Sequence, residues 1–509
     1  MNPMNSSKHH AWLYLVALAC LPTHATTTPL DWVACPPSDL PRPGACPRPG
    51  PAPISETVEC ARIVVPLDHG HSSPGDHTLD VCRLQAPQAT RRGTLLLLPD
   101  EIDESPGDAL RRHVGRWRAS QVDGWNEIGH AFDVVTVAPR GLTPGPDANC
   151  VASGGLGELH PHHRFGIDTS EANLTAAANR AQLIAFVCGD DPGAAFAGIR
   201  QRVGDLDAVH QRLGSRIDAI IAVGQGAWTA ARYLAIHPHA VQRALLVRPV
   251  DFTNTRWGVM NSAIAARGEH YATALSRLPA TTDPVAAFGA LPEWFRLLTD
   301  DHIAHPYMLR NALDAGRCVA AASPWTRRYC VHAYGGSGAD YMPVETAELI
   351  AAPPREPREN LLGSGHKANT NAFTRDYLAR ACVDDDSLRA PLATWKRRIV
   401  DLGRAFPLAQ YSEGFAGLVC THWPVPPTPV HPTFGDTPVM ALRWRHDDNA
   451  LHADIVKAME ATMQGDLVVD EASATHAHPD DGVCSAAYAR DFLLDGRRPA
   501  TSSVACGGD

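Results

Sequence analysis

The sequence predicts an α/β fold in which a mostly parallel sheet carries helices on both faces and is interrupted by a helical insertion. Short apolar runs alternate with helical segments over residues 56–250, and the same alternation returns over residues 430–509. Between them, residues 251–429 hold Trp-, His- and Pro-containing helical pieces with no clear β period. With 509 residues, the chain can bury a sizeable core and form one large domain with an insertion.

The first half of the chain opens with strands, and helices follow. Apolar runs predict strands at 63–67, 78–84, 94–98, 132–137, 217–223 and 241–247. Helical spacing predicts helices at 171–186, 204–213 and 228–236. Because strands alternating with helices require crossover connections, this order indicates parallel pairing with helices on both faces.

The second half completes the sheet after the insertion. Strands are predicted at 438–444 and 466–469, and helices at 451–463 and 484–494. A sheet that is interrupted by a helical block and then completed is the organisation of an α/β-hydrolase with a cap. We therefore expect residues 56–250 and 430–509 to form the core, and residues 251–429 to form the cap.

The amino terminus predicts export. Residues 1–25 combine Lys8, an apolar run of about eleven residues and a small residue at Ala25, which is typical of a secretory signal peptide cleaved before Thr26. Cys20 admits an alternative, a lipid-modified amino terminus. Residues 26–55 form a Pro-rich leader, and no stretch predicts a membrane span. The expected location is the periplasm or the outside of the cell.

Twelve cysteines remain after the signal peptide is removed, and this even number favours disulfides over metal or redox chemistry in an oxidising compartment. Sequence leaves the connectivity open. Pairing of neighbours is the simplest arrangement, and it predicts Cys150–Cys188, Cys318–Cys330, Cys382–Cys420 and Cys484–Cys506. No metal site is predicted, since the histidines at 160, 162 and 163 lack ordered partner spacing and are interpreted as loop residues.

Charge and motifs exclude several classes of function. Lys and Arg number 45 against 55 Asp and Glu, a net charge of −10 that offers no excess for neutralising a nucleic-acid backbone. No phosphate-binding glycine loop or dinucleotide fingerprint occurs, so no cofactor is predicted. The expected partner is a peptide or small-molecule ligand.

Two sets of residues along the chain form a recognisable pattern. The first set contains Trp32, Cys35, Cys60 before Val65-Pro66-Leu67-Asp68, Gly93, Phe132-Asp133-Val134-Val135, Arg140-Gly141 and Cys150. The second set contains Tyr233, His237-Pro238, Val241, Cys484, Phe492-Leu493, Gly496, Pro499 and Cys506. Together they resemble the secreted bacterial tripeptidyl- and prolyl-aminopeptidase-like α/β-hydrolases, whose carboxyl-terminal region is TAP-like. The resemblance covers roughly 60–250 and 435–506, and it implies cleavage of amino-terminal residues or short peptides by a Ser-Asp-His triad.

The position that corresponds to the family's serine is Gly224. It lies in Ala222-Val223-Gly224-Gln225-Gly226, which keeps the small residues that flank a nucleophile on a strand-to-helix turn. Glycine has no oxygen to attack with, and it relieves the positive-φ strain of such a turn. A shift of the alignment by two residues would place the nucleophile at Ala222 or Gly226, and neither carries a hydroxyl or a thiol.

The predicted oxyanion site also departs from the family. Where the family has a Gly-Gly-Pro-Gly turn, residues 99–105 read Pro-Asp-Glu-Ile-Asp-Glu-Ser. Carboxylates beside an oxyanion oppose its formation, although this loop could equally be a solvated acidic loop or attract a cationic group such as a peptide amine. The family's Asp two residues before Arg140 is replaced by Ala138.

The remaining triad positions are occupied. The resemblance places the acid at Asp447, with Asp448 as a rival, and the base at His476, with His478 as a rival. A pair of Asp and His without Ser could orient a water molecule, but it would lack the covalent step.

These residues predict a catalytically impaired α/β-hydrolase homologue, a pseudoenzyme that binds a peptide or another small ligand. The alternative is an active serine exopeptidase or esterase that uses a displaced serine such as Ser337, in Gly335-Gly336-Ser337-Gly338-Ala339. That serine lies in the predicted cap and does not follow a central strand. The two hypotheses differ in one requirement. Only the active enzyme needs a serine within hydrogen-bond reach of His476.

Overall fold

The fold is described by a computed structural model of the chain. It describes residues 30–35, 57–71, 75–100, 106–140, 169–275, 377–405, 411–445, 447, 449–471 and 483–507. None of the helices in these ranges is long and apolar enough to cross a membrane.

Ten strands in the described ranges form one sheet. They are β1 (Val33–Ala34), β2 (Glu59–Pro66), β3 (Asp76–Leu84), β4 (Gly93–Leu98), β5 (Phe132–Val137), β6 (Ile217–Val223), β7 (Val241–Val247), β8 (Val439–Trp444), β9 (Gly465–Asp470) and β10 (Ser503–Cys506). Their order across the sheet is β1-β2-β3-β5-β4-β6-β7-β8-β9-β10. All pairs from β5 to β10 are parallel, and β1, β2 and β3 form an antiparallel edge that joins β5.

The helices of the described ranges cover both faces of this sheet. They are α1 (Pro106–Ala119), α2 (Asp123–Ala131), α3 (Glu171–Gly189), α4 (Ile199–Leu213), α5 (Gly226–Ile236), α6 (Arg256–Leu275), α7 (377–384), α8 (Leu392–Ala405), α9 (Tyr411–His422), α10 (His452–Glu460) and α11 (Val483–Asp495). One hydrophobic cluster joins α1, α2 and α11 to the sheet, and another joins α4, α5 and α10 to its opposite face. The predicted α/β-hydrolase fold is thereby confirmed.

Strand β4 shows why the central strands read as unbroken apolar runs. Leu95 and Leu97 pack against the α1 side, and Leu96 and Leu98 pack against the α4 side. Because helices cover both faces, every one of these leucines is buried, and no polar residue alternates with them. The sheet centre therefore gives a stronger sequence signal than its edges.

The described residues between β7 and β8 contain helices and no strand, and they build a third hydrophobic cluster with α3. Trp257 on α6 meets Trp395 on α8 edge to face, with ring centroids 4.9 Å apart. Cys382 and Cys420 form a disulfide with Cα atoms 4.8 Å apart, which joins α7 to α9. These residues are helical, as the predicted insertion is. The boundaries of the predicted domains remain a prediction.

The sequence predicted the start of the folded region too late. It placed the start near Glu56, whereas β1 pairs with β2 through Val33 and Ala34. The guanidinium of Arg83 lies 4.2 Å from the ring centroid of Trp32, so the residues before β1 also contact the sheet. A strand of two residues carries no period, and proline surrounds it, which explains why the sequence pattern does not reveal it.

The sequence also missed α1, α2 and β10. The buried face of α1 includes Gly107, His113, Gly115 and Arg118, so polar and small residues blur its apolar period. Arg118 is nevertheless satisfied, because its Nε donates to Gly129 O over 2.7 Å. Leu110, Val114 and Trp117 still pack into the hydrophobic cluster, so an apolar stripe interrupted by small and polar residues holds this helix against the sheet.

Two predicted disulfides are confirmed by the structure, Cys382–Cys420 and Cys484–Cys506. Cys188 is also disulfide-bonded, and its predicted partner Cys150 lies outside the described residues. The predicted Cys318–Cys330 bridge lies outside them too.

Candidate functional site

The candidate site lies at the carboxyl edge of the parallel strands, where side chains that follow neighbouring strands meet. Asp100 follows β4, Gly224 follows β6, Arg248 follows β7 and Asp447 follows β8. These four strands are neighbours in the order β4-β6-β7-β8. The sheet therefore brings together four residues that are far apart in the sequence.

Gly224 forms the turn between β6 and α5. Its φ is +52°, a left-handed conformation that favours glycine, and its N–H donates to Val247 O over 3.0 Å. A Cβ on Gly226 would clash with the carbonyl oxygen of Leu98, so glycine is required there for close backbone approach. The local geometry matches the strand-to-helix turn that the sequence predicted.

The carboxylate of Asp100 fills the space beside this turn. A Cβ on Gly224 would lie less than 3.0 Å from both Oδ2 and Cγ of Asp100. A serine at this position would therefore collide with the carboxylate unless Asp100 moved.

Asp100 also occupies a backbone donor of the turn. The N–H of Gln225 donates to Asp100 Oδ1 over 3.2 Å. In α/β-hydrolases, the N–H of the residue after the nucleophile helps to bind the oxyanion. Here that donor already binds an anion of the protein itself.

The side chain of Gln225 is held by a buried ionic network that includes two residues of the predicted cap, Arg256 and Asp384. Arg256 Nη1 donates to Gln225 Oε1 over 3.0 Å, and Arg256 Nε donates to Asp384 Oδ2 over 2.7 Å. Asp384 also accepts from Arg202 on α4 over 2.9 Å to each of its oxygens. These bonds connect the turn to α4, α6 and the end of α7, and they fix the backbone that carries the Gln225 N–H.

Trp228 on α5 lies between two guanidinium groups. The Arg232 guanidinium is 3.3 Å and the Arg256 guanidinium 3.7 Å from the centroid of its ring. Burial, followed by the positive charge of Arg256, lowers the pKa of Arg232 to about 8. Arg232 donates to the carbonyl oxygens of Trp228, Phe252 and Asn254, which anchor the helix that begins at the turn.

Asp447, the predicted triad acid, lies at the same edge and is bonded by Arg248. Arg248 Nε donates to Asp447 Oδ2 over 3.0 Å, and Nη2 donates to Oδ1 over 3.2 Å. The N–H of Asn449 also donates to Asp447 Oδ1 over 3.0 Å. Asp447 is 4% exposed, and its charge is compensated by the hydrogen-bonded guanidinium of Arg248 and by an electrostatic interaction with Arg443.

Arg248 has a positive φ of 49°, the one non-glycine residue with this conformation in the described part of the chain. Asn449 Nδ2 donates to Arg248 O over 2.8 Å, and Arg248 N–H donates to Leu442 O over 2.8 Å. These bonds hold the left-handed backbone, and they aim the side chain at Asp447. A strained non-glycine residue beside a cleft marks a candidate functional position.

The rest of the predicted site cannot be placed beside these residues. His476 and His478, the rival acid Asp448 and the alternative nucleophile Ser337 all lie outside the described residues. The pairing of His476 with Asp447 therefore stays a prediction.

A cavity of about 60 Å³ lies beside the turn, between the ends of β4 and β5 and the helices α4 and α5. Its lining includes Asp100, Ala138, Asp205 and Thr229. This volume holds a few water molecules and is far below the roughly 300–1,000 Å³ of typical ligand pockets. This cavity is therefore too small to hold a peptide.

Arg140, which is part of the family resemblance, binds Asp205 in the lining of this cavity. It is 2% exposed, and its Nε and Nη2 donate to the two oxygens of Asp205 over 2.5 and 2.6 Å. It also donates to the carbonyl oxygens of Pro66 and Leu67. The motif residues thus join β2, β5 and α4, and their contacts are structural.

In the described part of the chain, one group of three possible metal ligands lies close together: Cys35, Cys60 and Cys82. It belongs to the antiparallel edge, where β3, β5 and β4 separate β2 from β6. The three histidines at 160, 162 and 163 lie outside the described residues.

Sequence reasoning missed Arg248 and the network of Arg256 with Asp384. Arg248 could have been noticed, because a charged residue directly follows the buried strand Val241–Val247. Nothing in the spacing of Arg256 and Asp384 indicates that they meet, since 128 residues separate them.

A family model described as TAP-like protein matches residues 409–506. This region is similar to TAP-like proteins. The resemblance that the sequence predicted is thereby confirmed for the TAP-like segment, which contains β8 to β10, Asp447 and the position of His476. A comparison with curated proteins by sequence found no match.

Solved structures of α/β-hydrolases are similar to this chain over most of its length. A probable hydrolytic enzyme from Pseudomonas aeruginosa is 12% identical, with a TM-score of 0.27, and the match covers 81% of this chain and 86% of that one. A proline iminopeptidase from Mycobacterium smegmatis is 12% identical, with a TM-score of 0.36 and coverage of 86% and 98%. An acetylester hydrolase from Corynebacterium glutamicum is 10% identical, with a TM-score of 0.33 and coverage of 81% and 87%.

Proposed function

We propose that this chain is an exported α/β-hydrolase homologue that binds a peptide or small molecule and lacks hydrolysis by the serine route. The observation that carries the proposal is the Asp100 carboxylate, which lies against Gly224 and accepts the Gln225 N–H. The Asp100 side chain thus fills the space that a nucleophile at residue 224 would need. It also accepts the Gln225 N–H, which would otherwise be available to an oxyanion.

Both losses lower the rate of acyl transfer. Without a hydroxyl at residue 224, no covalent intermediate forms at the turn, even with Asp447 and His476 aligned as predicted. Losing one oxyanion donor typically lowers kcat about 10²- to 10³-fold, and here a negative charge also opposes the developing oxyanion. The two effects act on the same step, so hydrolysis at this turn is expected to be negligible.

Export is supported by two kinds of observation. The first 25 residues read as a signal peptide, and two disulfides lie in the described core and in the helices before β8. Disulfides persist in the periplasm and outside the cell and are rare in the cytosol.

The Asp100 carboxylate also indicates which class of ligand the protein binds. A carboxylate at the strand-to-helix turn favours a ligand with a positively charged group, such as the free amino terminus of a peptide. The family resemblance implies substrates that carry such an amino terminus. The proposal is therefore a protein that keeps amine recognition without cleavage.

Calorimetry and a turnover assay on the mature protein test this function. Trialanine amide with a free amino terminus should bind at least tenfold more tightly than its acetylated counterpart. The isosteric Asp100→Asn variant should lose most of that difference, because it keeps the shape and removes the charge. Aminoacyl and tripeptidyl chromogenic substrates should turn over no faster than in buffer.

Equal binding of the two peptides, or no binding of either, would contradict the proposed ligand class. Turnover that Ser337→Ala abolishes would instead establish the alternative, an active exopeptidase or esterase with a displaced serine.

A further inference from the structure

A second cavity lies at the opposite edge of the sheet from the candidate site, where the parallel strands begin. Arg216 precedes β6, Arg243 lies near the start of β7 and Thr437 comes shortly before β8, and all three line this cavity. Phe492 on α11 also lines it. Its volume of about 300 Å³ is at the lower end of the roughly 300–1,000 Å³ of typical ligand pockets. It is therefore large enough for a small molecule, unlike the cavity beside the turn.

The charged groups of its lining are mostly positive. Three guanidinium groups, those of Arg216, Arg243 and Arg498, lie there with one carboxylate, that of Asp436. Arg498 is already compensated, because its Nε and Nη2 donate to the two oxygens of Asp466 over 2.6 and 2.9 Å. Two positive charges then remain in the lining against one negative charge.

Arg243 is held in place by neutral acceptors. Its Nη1 donates to the carbonyl oxygens of Phe492 and Leu493 over 2.8 and 3.1 Å, and its Nη2 donates to Gln242 Oε1 over 3.4 Å. Gly496 allows the end of α11 to approach this closely, since its φ is +69° and a Cβ there would lie 3.3 Å from Arg243 Nη1. These bonds orient the guanidinium without neutralising its charge.

The carboxylates that act on this guanidinium have hydrogen-bond partners of their own. Burial is the largest influence on the pKa of Arg243 and lowers it, and the charge of Arg216 lowers it further, while Asp218 and Asp495 raise it. The Asp218 carboxylate accepts the N–H of Thr94 over 2.9 Å. The Asp495 carboxylate accepts from Arg490 over 2.7 Å. Both therefore moderate the positive potential of the cavity without forming an ion pair with Arg243.

Arg216 supplies the second positive charge. It is exposed, and it makes no hydrogen bond or ion pair with the residues that the structure describes. Its influence on Arg243 shows that the two guanidinium groups repel each other. An anion that binds both would relieve this repulsion, and guanidinium groups bind the paired oxygens of carboxylates and phosphates with two parallel hydrogen bonds.

We propose that this cavity is a second ligand site, in which Arg216 and Arg243 bind the oxyanion group, phosphate or carboxylate, of a small molecule. Arg243 is the fixed, partly buried donor, and Arg216 is the exposed donor that becomes ordered when the anion binds. The site shares no lining residue with the strand-to-helix turn, so it does not depend on the function proposed for that turn.

Calorimetric titration of the mature wild-type protein with inorganic phosphate, and separately with acetate, tests this site. Chloride keeps the ionic strength constant, because screening weakens every exposed charge. Saturable binding of one anion to one site is expected. Tighter binding of phosphate would assign a phosphate-bearing ligand, and tighter binding of acetate would assign a carboxylate. Saturation by neither anion would overturn the proposal.

Two variants locate the bound anion. Arg216→Gln should weaken binding about tenfold, because it removes a charge-assisted contact and breaks no hydrogen bond within the described residues. Asp436→Asn should strengthen binding about threefold, because it removes the one carboxylate of the lining.

Arg62→Gln and Asp80→Asn are the matched controls, since they make the same changes of charge on the exposed pair between β2 and β3. Both should leave the affinity for the anion unchanged. The proposal is wrong if Arg216→Gln binds the anion as tightly as the wild type does, or if Arg62→Gln weakens binding equally.

Discussion

At the scale of single residues, Gly224 and Asp100 fit each other. Glycine adopts the φ of +52° without the steric penalty of a Cβ, and the absent Cβ leaves room for the carboxylate. A serine would bring back both the strain and the collision. Gly224 and Asp100 are therefore sterically coupled, and we expect that a serine at residue 224 alone does not give a hydrolase site.

We predict that Gly224→Ser captures a fluorophosphonate only weakly, and that Gly224→Ser with Asp100→Ala captures it at least tenfold faster. The second change removes the carboxylate from the hydroxyl's position and releases the Gln225 N–H for the oxyanion. Labelling followed by intact mass spectrometry measures both rates.

Asp100→Ala alone is the matched control, because it opens the turn without supplying a hydroxyl, and it should stay unlabelled at residue 224. Equal rates for the single and the double variant would show that Asp100 does not obstruct the site. Failure of both variants would contradict the predicted alignment of Asp447 and His476.

At the scale of elements, the ion pair of Arg248 with Asp447 joins the loop after β7 to the loop after β8. We predict that Arg248→Ala lowers the free energy of unfolding by about 3 kcal/mol, because it leaves the buried Asp447 charge without its guanidinium. Urea denaturation measures the change. Adding Asp447→Asn to Arg248→Ala should recover part of the loss, since the uncompensated charge is then gone.

Arg62→Ala is the comparison for this prediction, because Arg62 pairs with Asp80 on an exposed surface, with side chains 79% and 55% exposed. Its cost should stay within about 0.5 kcal/mol. A similar small cost for Arg248→Ala would show that the two loops are held by other contacts.

The strands that the sequence located best are the buried central ones. Phe132–Val137, Ile217–Val223 and Val241–Val247 are confirmed to the residue, because helices on both faces make them continuously apolar. β1 and β10 have two and four residues, and such short runs do not stand out from loops. Edge strands are decided by pairing partners that the local sequence does not reveal.

The candidate site was predictable where it follows local rules. The small residues around Gly224 indicate a strand-to-helix turn. The acidic loop that is predicted after β4 includes Asp100. The placement of one carboxylate against the turn depends on how the chain leaves β4, and no spacing rule gives that direction. The same holds for Arg248, whose left-handed backbone is held by the distant Asn449 and Leu442.

At the scale of the whole molecule, the candidate site and the three clustered cysteines lie in different parts of one sheet. The carboxyl edge of β4, β6, β7 and β8 carries Asp100, Gly224, Arg248 and Asp447, and the antiparallel edge carries the three cysteines. The TAP-like match covers residues 409–506, which complete the sheet and supply Asp447. The segment that supplies the predicted acid is the one that the TAP-like family model matches, and the turn after β6 carries glycine at the position where the family resemblance predicts the nucleophile.

The most direct test of this account is the intact mass of the mature wild-type protein after incubation with a fluorophosphonate, beside an active serine hydrolase as positive control. The account predicts no added mass, because Gly224 offers no hydroxyl and Asp100 holds the turn closed. A stoichiometric adduct on a serine, whether Ser337 or another, would contradict it and show that the protein is a working serine hydrolase.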